Sequence, residues 1–180
     1  MPSRIGRFEI LSDITHSSVG GVYKANDLGS NQIVALKTLR LEALGANAAA
    51  HLQSLLHEAE NTKVLNSHNI TLLYGAGDLE GQYCAAMEYV QGNSIATMLA
   101  RNEEFSIWDI QDIVRQACQG LDHAHAHRIL HRSLEPAKLM VQWDGTVKLL
   151  SFGLSSMSEF AAECLTGTPE ILHYMSPEQA

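Results

Sequence analysis

The chain has 180 residues, 46% hydrophobic and 18% charged, enough for one or two ordinary soluble domains with a real core. Its formal net charge of −8 argues against nucleic acid or an anionic membrane as a partner. No apolar run approaches a membrane span, and the N-terminal M-P-S-R-I-G-R-F lacks a signal peptide's apolar centre. Three widely spaced cysteines, Cys84, Cys118 and Cys164, read as free thiols, which points to a reducing, cytoplasmic setting.

In chain order, Phe8–Ile14 alternates weakly and Gly20–Ala25 reads as a second strand, with a polar turn between them. Gln32–Leu39 is a third strand, containing Val34-Ala35-Leu36-Lys37. From about Ala46 to Asn66 the chain lacks Pro and Gly and places Leu52, Leu55, Leu56 and Ala59 at helical spacing, with Glu58 beside that stripe. Ile70–Gly75 and Gln82–Glu88 read as strands joined by a turn at Gly77–Gly81. Helical patterns follow at Ser94–Asn102 and Ser106–Ala126. In the longer one Ile110, Ile113, Val114, Ala117 and Leu121 mark an apolar face, and Ser106 with Asp109 forms a capping arrangement. His123 and His127 are four apart and could share a helix face as metal ligands. No Cys or carboxylate nearby completes a set, so His123, His125 and His127 read as structural or solvated. Leu139–Trp143 and Thr146–Leu150 flank Asp144-Gly145, a pair that favours a tight hairpin.

The loops at the two ends of that hairpin carry the most informative residues. His131–Lys138, H-R-S-L-E-P-A-K, and Ser151-Phe152-Gly153 resemble the catalytic and metal-binding loops of protein kinases, H-R-D-L-K-P-x-N and D-F-G. Ser133 stands where the catalytic Asp belongs, Glu135 replaces the Lys that faces the transferred phosphate, and Lys138 and Ser151 replace the metal-binding Asn and Asp. Other family motifs appear in the same order. Thr15–Val22 resembles the glycine-rich loop, with Gly20 alone surviving and Thr15 and Ser17 at the first two glycine positions. Lys37 matches the strand lysine that holds nucleotide phosphates, and Glu58 the helix glutamate that pairs with it. Met87-Glu88-Tyr89-Val90 resembles the hinge, where backbone groups of Glu88 and Val90 meet the adenine edge and Met87 lies behind it. Val22, Ala35 and Met140 would sandwich the purine. Gly167–Glu178 resembles the activation segment closing on Ser176-Pro177-Glu178, with about three extra residues between Pro169 and Tyr174. The wording is similar to bacterial Ser/Thr kinases.

The resemblance implies an α+β, two-lobe protein kinase-like fold. Residues 1–90 would form a five-stranded antiparallel lobe with one long helix. Residues 91–180 would form a partial helical lobe, truncated at the activation segment. It implies a cleft for ATP or ADP lined by Gly20, Val22, Ala35, Lys37, Glu58, Met87, Glu88, Val90, Lys138 and Met140, with magnesium weakly held or absent and no metal ligand. Ser133 would occupy the catalytic position without serving it. A helix face containing Ile110, Ile113, Val114 and Leu121 would stay open, ready for a protein partner. Three functional readings remain at this point: a pseudokinase with a regulatory or scaffolding role, a weakly active Ser/Thr kinase with Glu135 assisting metal, or an inert fragment.

Overall fold

The structure, a computed structural model, describes residues 3–42, 45, 48–154 and 174. Cys164 and the Ser176-Pro177-Glu178 motif lie outside the described residues. Six strands form one antiparallel sheet in the order β1-β2-β3-β4-β6-β5: β1 (Arg4–Ile5), β2 (Phe8–His16), β3 (Gly20–Asp27), β4 (Gln32–Arg40), β5 (Leu73–Leu79) and β6 (Gln82–Glu88). The strand beyond the expected five is β1, which pairs Ile5 with Phe8. Two residues carry no period, so it left no pattern to read.

Period-2 alternation puts a core on each face of the sheet. On one face Leu39, Tyr83, Ala85 and Met87 pack with Val19, Leu55 and Leu154. On the other, Val34, Leu36, Cys84 and Ala86 pack with Ile5, Phe8, Tyr23 and Ala25. Helix α1 (Ala48–Thr62) covers the first face, burying Leu55, Ala59 and Thr62. It stops four residues before the expected end. The Lys63 and Leu65 amides turn back onto the Glu60 and Thr62 carbonyls (3.3 and 3.0 Å), closing the helix with a tight last turn. Ile70, expected in a strand, instead makes an isolated parallel bridge to Leu149, and pairing with β6 begins only at Leu73.

A second, smaller sheet runs β7 (Gly92–Ser94), β8 (Leu139–Gln142) and β9 (Val147–Leu149), with α2 (Ile95–Ala100) and α3 (Ile107–Ala126) beside it. The expected capping box starts α3: the Asp109 amide donates to Ser106 Oγ and the Ser106 amide to Asp109 Oδ2. Its inner face buries Gln116, Ala117, Gly120 and Ala124. Gln116 locks the hairpin in place. Its Oε1 accepts from the Val147 amide (2.8 Å) and Asn69 Nδ2 (3.1 Å), and its Nε2 donates to the Gly145 carbonyl (3.0 Å). The Leu149 amide then donates to the Asn69 carbonyl (2.9 Å) and the Thr71 amide to the Leu149 carbonyl (3.0 Å).

The open face of α3 is shifted from the expected one. Ile110 and Val114 are exposed, as are Ile107 and Trp108, whereas Ile113 and Leu121 are half-buried. Leu121 packs against a third cluster made of Leu65, Ile70, Ala117, Ala124, Leu149 and Phe152.

Candidate functional site

Between the two sheets lies a cleft of about 1150 Å³, walled by the β2–β3 turn, β4, residues 87–97 and the segment from Arg132 to Met140. Strand alternation sends Ala35 and Lys37 to the same side as Leu39, toward α1 and the cleft. Val22, Ala35, Met87 and Met140 supply apolar lining, and Gly20, Lys37, Glu88, Val90, Ser133 and Lys138 also reach the cleft. Ten of the residues expected at the site, counting Ser133, thus line this one cleft. Glu58 does not join them.

Glu58 instead borders a separate polar depression with Asn61, Thr62, Arg128 and Arg132. The expected Lys37–Glu58 ion pair is not formed: among the described residues no carboxylate oxygen lies within 4.0 Å of Lys37 Nζ. Lys37 is held at about 8, well below an ordinary lysine, first by burial and then by the neighbouring Lys138 ammonium. Glu135 and Glu58 oppose that shift, with Glu58 the weaker.

Glu135 and Lys138 act as a pair. The 3₁₀ turn Pro136–Lys138 brings Lys138 Nζ to 3.3 Å from Glu135 Oε1 and lets it donate to the Ser133 carbonyl at 2.7 Å. Burial still lowers the Lys138 pKa, while Glu135 raises it. Two substitutions that look independent in sequence thus neutralise one another. The Ser133 hydroxyl is buried and has no hydrogen-bond partner among the described residues.

Glu88 lines the cleft with its charge already paired. Its carboxylate pairs with Lys148 Nζ (2.8 Å) and accepts from the Leu72 amide (3.2 Å). Lys148 was missed in sequence, although a lysine between the buried Val147 and Leu149 in a strand is a signal.

The β2–β3 turn is closed by Ser17 and by Thr38 of β4. The Gly20 amide donates to Ser17 Oγ (3.3 Å), the Gly21 amide to Thr38 Oγ1 (3.2 Å), and the Ser17 amide to the Gly20 carbonyl (2.8 Å). A Cβ at Gly20 would lie 2.1 Å from the Thr38 carbonyl oxygen, so close strand contact alone demands glycine there.

His131 and Phe152 anchor the loops from below. The His131 ring meets Phe152 edge-on at 4.6 Å, and its Nε2 lies 2.9 Å from the Leu150 carbonyl, which requires the proton on that nitrogen. Burial pushes His131 down to about 4, so the ring is neutral.

The model of the protein kinase domain matches residues 8–179 of this chain. The chain belongs to the protein kinase domain family. It is 30% identical over 178 residues to the serine/threonine-protein kinase PrkC of Bacillus subtilis, covering 97% of this chain and 27% of that protein. It is 31% identical over 175 residues to the cell division control protein 2 homolog 3 of Trypanosoma brucei brucei, covering 97% of this chain and 54% of that one. The chain therefore spans roughly a quarter to a half of the length of these curated relatives. In structure it is similar to the M. tuberculosis PknI kinase domain, with a TM-score of 0.72 over 84% of this chain and 60% of that one. The identity there is 24%, so that likeness speaks to fold.

Kinase domains generally use magnesium, and the residues at the two metal positions do not fit it. Ser151 is a neutral oxygen donor, and Lys138 places an ammonium already bound to Glu135 and Ser133 where a metal ligand belongs. No catalytic step through a metal is derived for this chain.

Proposed function

We propose that this kinase domain has lost phosphoryl transfer and serves as a regulatory or scaffolding pseudokinase whose cleft takes an adenine nucleotide weakly. The observation that carries the reading is the Glu135–Lys138–Ser133 arrangement. Phosphoryl transfer rests on positioning and on neutralising phosphate charge, chiefly through metal. A serine hydroxyl cannot accept the substrate proton as a carboxylate does. Glu135 sets negative charge where the transferred phosphate needs positive charge, and Lys138 is consumed in holding it.

Adenine recognition rests on different groups, namely main chain at Glu88 and Val90 and apolar side chains above and below the ring. With the phosphate end neutralised, the expected dissociation constant is about 10 μM to 1 mM. The scaffolding half of the reading draws on the exposed Ile107, Trp108, Ile110 and Val114 of α3, an apolar stripe suited to a protein partner.

The test is transfer of radiolabelled phosphate from ATP to a generic protein substrate and to the chain itself, with magnesium and separately with manganese. The expected result is no label above background with either metal. Label that disappears in Lys37→Met would overturn the loss of transfer and favour a weakly active Ser/Thr kinase.

A further inference from the structure

The β2–β3 turn and the Ser133–Lys138 segment both line the cleft, and the groups in them best suited to a phosphate, the Gly20 and Gly21 amides and Lys138 Nζ, are already engaged. A turn that cradles phosphate does so with backbone N–H groups left free to point at it. Here the Gly20 amide is taken by Ser17 Oγ, which also donates back to the Gly20 carbonyl at 3.0 Å. The Gly21 amide is taken by Thr38. The turn is further tied to β4, because the Arg40 amide donates to the Val19 carbonyl (2.8 Å) and the Arg40 guanidinium to the Ser18 carbonyl. Opening it to receive phosphate would break hydrogen bonds already made.

Charge tells the same story. Lys138 is already paired with Glu135 at 3.3 Å, so of the two ammonium groups lining the cleft one is spent before a phosphate chain arrives. The apolar walls formed by Val22, Ala35, Met87 and Met140 are unaffected. Resting on the adenine-site reading above, we propose that the cleft selects an adenine nucleoside and discriminates against its di- and triphosphates. Ser17 is the residue assigned to the discrimination. Its hydroxyl sits as an internal acceptor on the amide a phosphate oxygen would otherwise use.

The experiment is a calorimetric titration with adenosine, ADP and ATP in EDTA, on the wild-type chain and on Ser17→Ala. In the wild type, adenosine should bind as tightly as ATP or more tightly. Ser17→Ala frees the Gly20 amide and should tighten ATP by about tenfold, the worth of one hydrogen bond to a charged group, while leaving adenosine unchanged. ATP binding more tightly than adenosine in the wild type would overturn the proposal while leaving the adenine site standing. Failure of all three ligands to bind would overturn the adenine site itself, and the proposal with it. A Ser17→Ala variant with no gain for ATP relative to adenosine would overturn the role assigned to Ser17.

Discussion

The Glu88–Lys148 pair joins the last residue of β6 to the middle of β9, and it should prove to be a strongly coupled contact between the two sheets. Lys148 is 8% exposed, and the two charged groups sit 2.8 Å apart. At an effective dielectric constant near 20 that separation corresponds to a gross attraction of about 6 kcal/mol. Desolvating the two ions cancels much of it, so the pair's net worth is far smaller than the cost of breaking it. Lys148→Met leaves the Glu88 carboxylate with only the Leu72 amide as a partner, and should cost about 3 kcal/mol. Glu88→Gln keeps one acceptor oxygen but leaves the buried Lys148 ammonium without its counter-charge, and should likewise cost about 3 kcal/mol. The double variant should be more stable than the sum of the single losses implies, with a coupling of about 2 kcal/mol. Urea unfolding of the four proteins measures it. Additivity to within about 0.5 kcal/mol would refute the claim that this pair couples the sheets.

Three further predictions concern the loops around the cleft. Gly153→Ala would put a Cβ 2.2 Å from Thr62 Oγ1 at a φ of +73°, and should cost about 2–4 kcal/mol. Gly145→Ala, at φ +85° with nothing nearby, should cost only about 1 kcal/mol, and equal losses would contradict the packing of Gly153 on α1. His131 has a folded pKa of about 4 against 6.5 when free, so the unfolded chain takes up the proton first. Its contribution is therefore complete above about pH 6.5 and is lost as pH falls toward 4, by about 3 kcal/mol in all. His131→Phe should abolish that step in denaturant titrations across this range, and an unchanged acid slope would count against a buried neutral imidazole. Lys37 has a folded pKa of about 8 against 10.5, so burying its charge is a full penalty below pH 8 that fades as pH rises to 10.5. Lys37→Met should thus stabilise the chain at pH 7 by up to about 3 kcal/mol, and a lower melting temperature would refute the desolvation argument.

The parts of the fold that could be read in advance are those with a local period or a local cap. Ile33–Leu36 is a short apolar run, so the strand character of Gln32–Leu39 follows from the residues, whereas the side on which Lys37 emerges is set by the pairing with β3. Ser106 and Asp109 marked the start of α3 for the same reason. What escaped was set by how elements meet. Glu58 lies on the expected helix, yet which cavity it faces depends on how α1 seats on the sheet, and no pattern within the helix records that. Nothing near Gln116 in sequence points to its role, because its partners, Asn69, Gly145 and Val147, come from distant segments. Glu135 and Lys138 were legible as separate departures from the kinase pattern, but their mutual pairing needed the 3₁₀ turn that brings them together. Ser17 carried a local signal that was underused, since serine hydroxyls readily close turns on nearby backbone groups.

We propose that the Glu135–Lys138 pair stands in place of the metal-dependent phosphate machinery of a kinase domain. A calorimetric titration of ADP, first in EDTA and then in excess magnesium, tests it most directly. With Lys138 and Ser151 at the two metal positions, magnesium should change the dissociation constant by about twofold or less. A tightening of about tenfold or more on adding magnesium, equivalent to about 1.4 kcal/mol of metal-mediated binding, would contradict it.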